Sequence, residues 1–131
     1  MEIIPFRFVG PLAFGDARKD ARAKLNARPS TFTKVRGQNE TDAFDEIGLH
    51  LDFDEEGRLD FVEAFSPADI SFRGIRLLDR DMSAVSQDMN RLGLQDVRTD
   101  VGAKFPEAGI AVYAPSGVVE GVAAHRMGYY D

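Results

Sequence analysis

The sequence predicts an α+β domain, in which two tandem β-α-β-hairpin units form an antiparallel sheet with both helices packed on one of its faces. Three observations predict this fold: two segments alternate with the period of hairpin strands, two have the period of amphipathic helices, and the order of elements recurs in both halves. The units span approximately residues 6–65 and 70–126 of a single domain at 1–131, a length typical of one hydrophobic core.

Residues 47–65 carry the clearest local pattern in the chain, a hairpin that turns at Gly57. Apolar residues occupy alternate positions on both sides of the turn: Ile47, Leu49, Leu51 and Phe53 before it, and Leu59, Phe61 and Phe65 after it. This period is typical of half-buried strands. A three-residue loop with Gly57 in the left-handed conformation fits the spacing. The predicted register pairs Asp54 with Arg58, Phe53 with Leu59 and Leu51 with Phe61.

Two helices are predicted, and an aspartate stands at the N-cap position of each. The apolar positions are Ala17, Ala21 and Leu25 after Asp16, and Met82, Val85, Met89 and Leu92 after Asp81, with Gly93 closing the second helix. Arg28-Pro29 ends the first helix, because the residue before a proline disfavours helical torsion angles. Residues 30–36 then alternate like a strand, and residues 37–42 are predicted to form a loop.

Residues 110–125 predict a second hairpin around the loop 115–117, and this hairpin is apolar on both faces. Ile110, Val112 and Val122 lie on one face, and Ala111, Tyr113, Val119 and Ala123 lie on the other. Such a strand pair is either covered on both sides or part of a partner surface. A homodimer through this hairpin is therefore one expectation. Tyr129 and Tyr130 add amphipathic rings of the kind that is favoured at interfaces.

The composition excludes several classes of site. The chain has no cysteine, which excludes disulfides, thiolate nucleophiles and cysteine-ligated metal centres. Glycine-rich phosphate loops are absent too, and we expect no cofactor. The net charge of −6 argues against nucleic-acid binding. Residues 1–5 lack the basic stretch of a signal peptide, and no segment approaches the roughly 20 apolar residues of a membrane span. We therefore expect a cytoplasmic location without membrane association.

The charged residues fall into two blocks. Residues 7–36 hold eight basic side chains against two acidic ones, whereas residues 38–69 hold eleven acids and one base, Arg58. The blocks either face each other within the fold and largely cancel, or form a two-signed surface that steers a charged partner. The basic block includes Arg18, Lys19, Arg22 and Lys24 of the first helix, for which a solvated face and an anion site are the two interpretations.

Residues 52–63 resemble the twelve-position calcium loop of the EF-hand family. The oxygen ligands would come from Asp52, Asp54, Glu56, Asp60 and Glu63, and Gly57 would make the sharp turn. An EF-hand needs a helix before its loop, however, and residues 47–53 alternate with period two. The second unit has no carboxylate cluster at residues 115–117. The hairpin is therefore predicted, calcium binding is kept as an alternative, and no metal site is assigned.

Three side chains are candidates for a functional acid or base: Glu63, His50 and His125. Glu63 would lie opposite Leu49, where an apolar residue is expected, so it is at a frayed strand end, in a buried pair with an arginine, or a functional carboxylate. A histidine that acts as a general base needs an orienting acid, which the sequence alone does not place. No catalytic residue is assigned, and the absence of enzymatic activity is the favoured expectation.

Three segments are similar to short bacterial proteins of unassigned activity: Glu46-Ile47-Gly48-Leu49-His50, Val118-Val119-Glu120-Gly121-Val122 and Gly128-Tyr129-Tyr130-Asp131. This resemblance spans most of the chain. In architecture, a small acidic protein with tandem sheet units resembles bacterial inhibitor and immunity proteins, which present a sheet to an enzyme.

These observations predict a non-enzymatic protein–protein interaction protein, of the inhibitor or immunity type, that meets a basic partner with an acidic hairpin. The partner-binding residues would be Asp52, Asp54, Glu55, Glu56, Asp60, Tyr129 and Tyr130. One alternative is a small-molecule-binding protein or small enzyme, with a pocket between helices and sheet lined by Phe and Met. The other is a calcium-binding protein that uses residues 52–63.

Overall fold

The computed structural model describes residues 1–34 and 39–130, which form thirteen strands and two helices. In chain order these are β1 (Ile3–Ile4), β2 (Phe8–Val9), β3 (Leu12–Ala13), α1 (Arg18–Leu25), β4 (Ser30–Phe32), β5 (Thr41–Phe44), β6 (Leu49–Phe53), β7 (Leu59–Phe65), β8 (Ser71–Phe72), β9 (Ile75–Arg76), α2 (Met82–Arg91), β10 (Val97–Thr99), β11 (Gly102–Phe105), β12 (Ile110–Tyr113) and β13 (Gly121–His125).

Eight strands form one antiparallel sheet in the order β10-β11-β12-β13-β7-β6-β5-β4, beside a three-stranded sheet of β1–β3 and a two-stranded sheet of β8 and β9. The helices have only 8 and 10 residues, and α1 contacts β3 while α2 contacts β9. The fold is therefore mostly β, and the predicted α+β arrangement with two helices packed on one face is wrong. The strands of the small sheets have two residues each, which is too short to show the alternation that identifies a strand.

Strand β5 lies where the sequence predicts the end of a loop at 37–42. All four of its residues are buried, so the strand shows no alternation of apolar and polar residues. The neighbouring strand β4 is shorter than predicted and ends at Phe32. The last part of the predicted strand, residues 35 and 36, and the loop residues 37 and 38 lie outside the described residues.

The hairpin of β6 and β7 is confirmed, with a change of register after the turn. Phe53 pairs with Leu59 as predicted, and Gly57 has the left-handed φ of 76° that the loop requires. A β-bulge then leaves Asp60 unpaired, so that Leu51 pairs with Val62 and not with Phe61. Beyond the bulge every side chain of β7 is on the face opposite to the one an unbroken register would give it.

The second hairpin is also confirmed, with Ile110 paired to Ala124 and Tyr113 to Gly121. Its second strand begins at Gly121, so residues 118–120 belong to the connection. Each half of the chain thus supplies four consecutive strands of the main sheet, and β7 pairs with β13 where the halves meet. This order of elements is what a duplication would produce; the duplication itself stays a prediction.

The two helices begin in different ways. Asp81 caps α2 as predicted, because its side chain accepts a hydrogen bond from the Ser83 amide. Ala17 occupies the N-cap of α1, and the predicted cap Asp16 instead accepts hydrogen bonds from the Ala13 amide and Lys24 Nζ. Within residues 1–34 and 39–130, neither helix combines the length and apolar character that crossing a bilayer requires.

The main sheet has one face in the core and one that faces outward. The core face carries buried side chains of successive strands: Leu49 and Leu51, Val62 and Ala64, Val122 and Ala124, and Ile110 and Val112. The same core contains side chains of the small sheets and the helices: Ile3, Val9, Leu12, Phe72, Val85 and Met89. We call the other side the open face; its side chains include His50, Asp52, Phe61, Glu63, Ala111, Tyr113, Ala123 and His125. Antiparallel sheets tolerate one solvated face of this kind.

Asp42 on β5 is fully buried, with 0% of its surface exposed. It accepts hydrogen bonds from Arg18 Nη1 at 2.6 Å and from Arg22 Nε and Nη2 at 2.7 and 2.8 Å. The hydrogen bond to Asp42 also raises the pKa of Arg22. The two arginines belong to α1, so this cluster fixes the helix to the edge region of the sheet, and it joins the basic and acidic blocks of the sequence.

Replacing Asp42 with alanine should lower the free energy of unfolding by about 2–4 kcal/mol, because the two guanidinium groups then lose a buried, charge-assisted acceptor. Asp20→Ala, at an exposed position of the same helix, should change it by less than about 0.5 kcal/mol. Urea unfolding followed by circular dichroism measures both values. A loss below about 1 kcal/mol for Asp42→Ala would show that the cluster does not anchor the helix.

Candidate functional site

A concavity of about 850 Å³ lies where the β6–β7 turn meets the open face, and we call it the hairpin pocket. Five carboxylate side chains line it: Asp52, Asp54, Glu55, Glu56 and Asp60. Three cationic side chains, Lys34, Arg58 and Arg126, and the ring of Tyr129 complete its charged and aromatic walls. All five acids that the sequence predicts for partner binding therefore converge on one pocket.

Asp60 is the most unusual side chain of the hairpin pocket. It lies at the bulge, and it is only 8% exposed. Its Oδ1 atom is buried and has no hydrogen-bond partner among the described residues. The pKa of Asp60 is raised to about 6, and burial is the largest cause. The positive charge of Arg126 lowers this pKa, whereas the negative charges of Asp54 and Asp52 raise it. A buried carboxylate without a full set of hydrogen-bond partners costs free energy, so Asp60 is a candidate to bind a hydrogen-bond donor from another molecule.

Arg126 follows β13 and lies beside Asp60. Its backbone amide donates to the Asp60 carbonyl oxygen at 3.0 Å, and its Nη1 donates to the Met127 carbonyl oxygen at 3.1 Å. Its Nε atom is buried and has no partner in the described part of the chain. The wall of the pocket thus holds a buried acceptor and a buried donor that the fold leaves unsatisfied.

Lys34 connects the pocket to the rest of the open face. Its Nζ donates to Asp52 Oδ2 at 2.8 Å and to Glu63 Oε1 at 2.6 Å. Burial alone would lower the pKa of Lys34, but the hydrogen bonds to these two carboxylates outweigh it and raise the pKa. Asp52 also accepts a hydrogen bond from the Thr41 hydroxyl. The Asp52 carboxylate therefore has partners on both oxygens, in contrast to Asp60.

Asp54, the first residue of the turn between β6 and β7, stabilises that turn through its side chain. Asp54 Oδ1 accepts hydrogen bonds from the Glu56 and Arg58 amides, both at 2.9 Å. These bonds fix the backbone of the loop, an arrangement that aspartate favours in turns. The side chains of Glu55 and Glu56 are exposed at the mouth of the pocket. The turn therefore presents a fixed negative rim above the buried carboxylate.

Tyr129, in the C-terminal segment, lines the pocket and belongs to a cluster of aromatic rings. The Tyr129 ring lies 5.0 Å from that of Phe61, 5.5 Å from the His125 ring and 5.0 Å from that of Tyr130. Burial raises the pKa of Tyr129, and the charges of Asp60 and Asp52 raise it further. Tyr129 thus belongs to the pocket, whereas Tyr130, the other tyrosine predicted to bind a partner, does not line it. The Nζ atom of Lys104 lies 4.9 Å from the centroid of the Tyr130 ring.

The three candidate acids and bases do not meet in one site. Because of the bulge, Glu63 lies opposite His50 and not opposite Leu49. Its ion-pair partner is Lys34 and not an arginine. His50 lies between the rings of Phe32 and Phe65, with Nε2 2.8 Å from Asp45 Oδ1.

His125 packs in the aromatic cluster of Tyr129 and Tyr130, and its Nδ1 is 2.9 Å from the Arg126 carbonyl oxygen. His125 pairs with Phe61 across β13 and β7, while His50 pairs with Glu63 across β6 and β7. Each histidine therefore has its own neighbours, and no described residue joins the two into one catalytic arrangement.

The EF-hand-like loop is part of the hairpin. Strands, and not helices, flank the turn at residues 54–58. Among residues 1–34 and 39–130, no group of three or more histidine, aspartate or glutamate side chains is placed to hold a metal ion. Within residues 52–63, Asp52 forms an ion pair with Lys34, and Asp54 accepts hydrogen bonds from the turn backbone. These two carboxylates therefore stabilise the hairpin, and they also line the pocket.

A second concavity, of about 370 Å³, lies on the open face of the second hairpin. Ala111, Gly121 and Ala123 form its floor, and Phe65 and Tyr113 stand at its sides. The phenylalanine and methionine residues between helices and sheet, such as Phe72 and Met89, are instead buried in the packed core. The second hairpin is thus covered on one face only, and the homodimer through its other face stays a prediction.

The contributions of Lys34 and Arg126 could not be found from the sequence. The pairing of distant strands brings Lys34 to Asp52 and Glu63, and it brings Arg126 to Asp60. The orphaned oxygen of Asp60 depends on a one-residue bulge that alternation alone does not reveal. No family model, curated protein or solved structure matches this chain.

Asp60→Asn should raise the free energy of unfolding at neutral pH by about 1–3 kcal/mol, because the folded state no longer holds a desolvated charge. The folded pKa of about 6 lies above the ordinary value, so the wild type binds the proton more tightly when folded. Its stability should therefore fall as the pH rises from about 4 through 6, and this slope should disappear in Asp60→Asn.

Urea unfolding at a series of pH values measures the slope, and Glu107→Gln, at an exposed acid elsewhere, is the matched control that should keep it. If Asp60→Asn is less stable than the wild type at neutral pH, its carboxylate is satisfied in the fold and the assignment is wrong.

Proposed function

We propose that this chain is a non-enzymatic protein-binding module, of the inhibitor or immunity type, that receives a basic partner protein at the hairpin pocket. The buried Oδ1 of Asp60, which lacks a partner in the described part of the chain and lies beneath an exposed acidic rim, is the observation that supports this function best. A buried oxygen without a hydrogen-bond partner lowers the stability of the fold, and a donor from a binding partner would remove this destabilisation. The cytoplasm is the proposed location, in keeping with a chain free of cysteine.

The charges around the pocket support a basic partner. Among the residues that the structure describes, five carboxylates and three cationic groups line it, so these groups sum to a negative charge, as does the chain as a whole, which carries −6. An exposed negative rim increases the rate at which positively charged partners associate and disfavours acidic ones. The same sign disfavours nucleic acid, whose phosphates would meet Glu55 and Glu56 first.

The shape of the site supports a protein partner. The pocket opens beside the sheet's open face, where the ring centroids of Phe61 and Tyr129 lie 5.0 Å apart. A partner that enters the pocket can therefore also cover part of the sheet. Aromatic rings such as Tyr129 supply large contact area at low entropic cost in such interfaces.

A photoreactive amino acid at Glu55 should crosslink the partner in cells of the native host, and the same residue at Glu46 should not. These two exposed acids lie near opposite ends of strand β6. With the purified partner, Glu55→Lys should weaken binding about tenfold or more, and Glu46→Lys by less than about threefold. Binding of the wild type should weaken as the salt concentration rises.

Equal crosslinking at the two positions, or binding that neither salt nor Glu55→Lys affects, would contradict this surface as the docking site. Calorimetry with a purified partner gives the dissociation constants for the wild type and both variants.

A further inference from the structure

We propose that the hairpin pocket is an arginine site, in which a guanidinium group of the partner donates to Oδ1 of Asp60 beside the ring of Tyr129. This inference rests on the proposed function, and it adds the chemical identity of the group that the pocket receives. Two independent observations carry it: the converging carboxylates of the turn, and Asp60, a residue only 8% exposed whose Oδ1 atom has no partner among the described residues.

Residues 1–34 and 39–130 supply no donor for this oxygen. Asp52 receives Lys34 and Thr41, and Asp54 receives two backbone amides. Asp60 contributes its carbonyl oxygen to the Arg126 amide, but its Oδ1 receives no hydrogen bond in the described part of the chain. A ligand for this position must therefore bring N–H or O–H groups, and a positive charge compensates the desolvated carboxylate best.

The surroundings favour guanidinium over ammonium. A guanidinium ion is planar and weakly hydrated, so it enters a half-enclosed site at lower cost than a compact ammonium ion. It also stacks on aromatic rings, and Tyr129 lines the same pocket. Its several N–H groups can bond to Asp60 and to a carboxylate of the rim at the same time, which a single ammonium group does less well.

The unsatisfied donor of Arg126 fits an arginine residue better than a free cation. Its Nε atom needs an acceptor, which a guanidinium group cannot provide. The main-chain carbonyl group of an arginine residue would provide one. The pocket volume of about 850 Å³ is larger than one side chain and leaves room for the adjoining peptide. The occupant is thus an arginine within a peptide or protein.

Binding of this residue should depend on pH. Asp60 must be ionised, and the groups around it are Asp52 on β6, Asp54 in the turn, Arg126 after β13 and Tyr129 in the C-terminal segment. Since the pKa of Asp60 is raised to about 6, affinity should increase as the pH rises through that value. A bound cation lowers this pKa, so binding near pH 6 should release protons.

Isothermal titration calorimetry with N-acetyl-arginine methylamide as the probe tests the site on the full chain. The citrulline analogue, a neutral molecule of nearly the same shape, should bind at least about tenfold more weakly, and the lysine analogue about threefold more weakly. Asp60→Asn should lose arginine binding while its circular dichroism spectrum stays that of the wild type. Glu46→Gln, at an exposed acid away from the pocket, should keep the wild-type affinity.

Amide chemical shifts measured in the same titration should change around Asp60, Arg126 and Tyr129. Equal binding of the citrulline analogue, unchanged binding to Asp60→Asn, or the absence of any heat and shift would overturn the arginine site. Those results would leave the docking surface standing if Glu55 still crosslinks a partner and Glu46 does not. Arginine binding without such a crosslink would support the site and contradict the proposed protein partner.

Discussion

The bulge at Asp60 is the constraint on which the rest of the structure depends. Without the bulge, the side chains of Phe61 and Glu63 would point into the core, and β7 would not continue the apolar face of the sheet. The extra residue reverses the phase of the strand, so Val62 and Ala64 face the core and pair with neighbours on both sides. The residue at the bulge, Asp60, is itself only 8% exposed, and its burial raises the pKa of its carboxyl group.

The second constraint is electrostatic and lies at the other side of the sheet. Asp42 binds Arg18 and Arg22 inside the fold, whereas Asp52 and Glu63 share Lys34 on the open face. Three cations of the basic block thus pair with three acids of the acidic block. The hairpin turn retains an excess of negative charge, and this local imbalance, more than the net charge of the chain, favours the turn as the proposed docking surface.

Local signals in the sequence predicted the parts of the fold that depend on few residues. Gly57 marks the first turn, Phe53 pairs with Leu59, and Asp81 caps its helix, because each signal acts within one turn of chain. The bulge, the buried strand β5 and the two-residue strands depend on distant neighbours and leave no period in the sequence. The acids of the pocket were therefore predictable as a group, but the special state of Asp60 and its neighbour Arg126 were not.

The most direct test of this account is an NMR titration of the Asp60 side-chain carbon in the unliganded protein. The Asp60 carboxylate should titrate near pH 6, about two units above the ordinary value of an aspartate. A midpoint near 4 would show that Asp60 is solvated or fully satisfied within the fold, and that the hairpin pocket has no unmet acceptor for a partner.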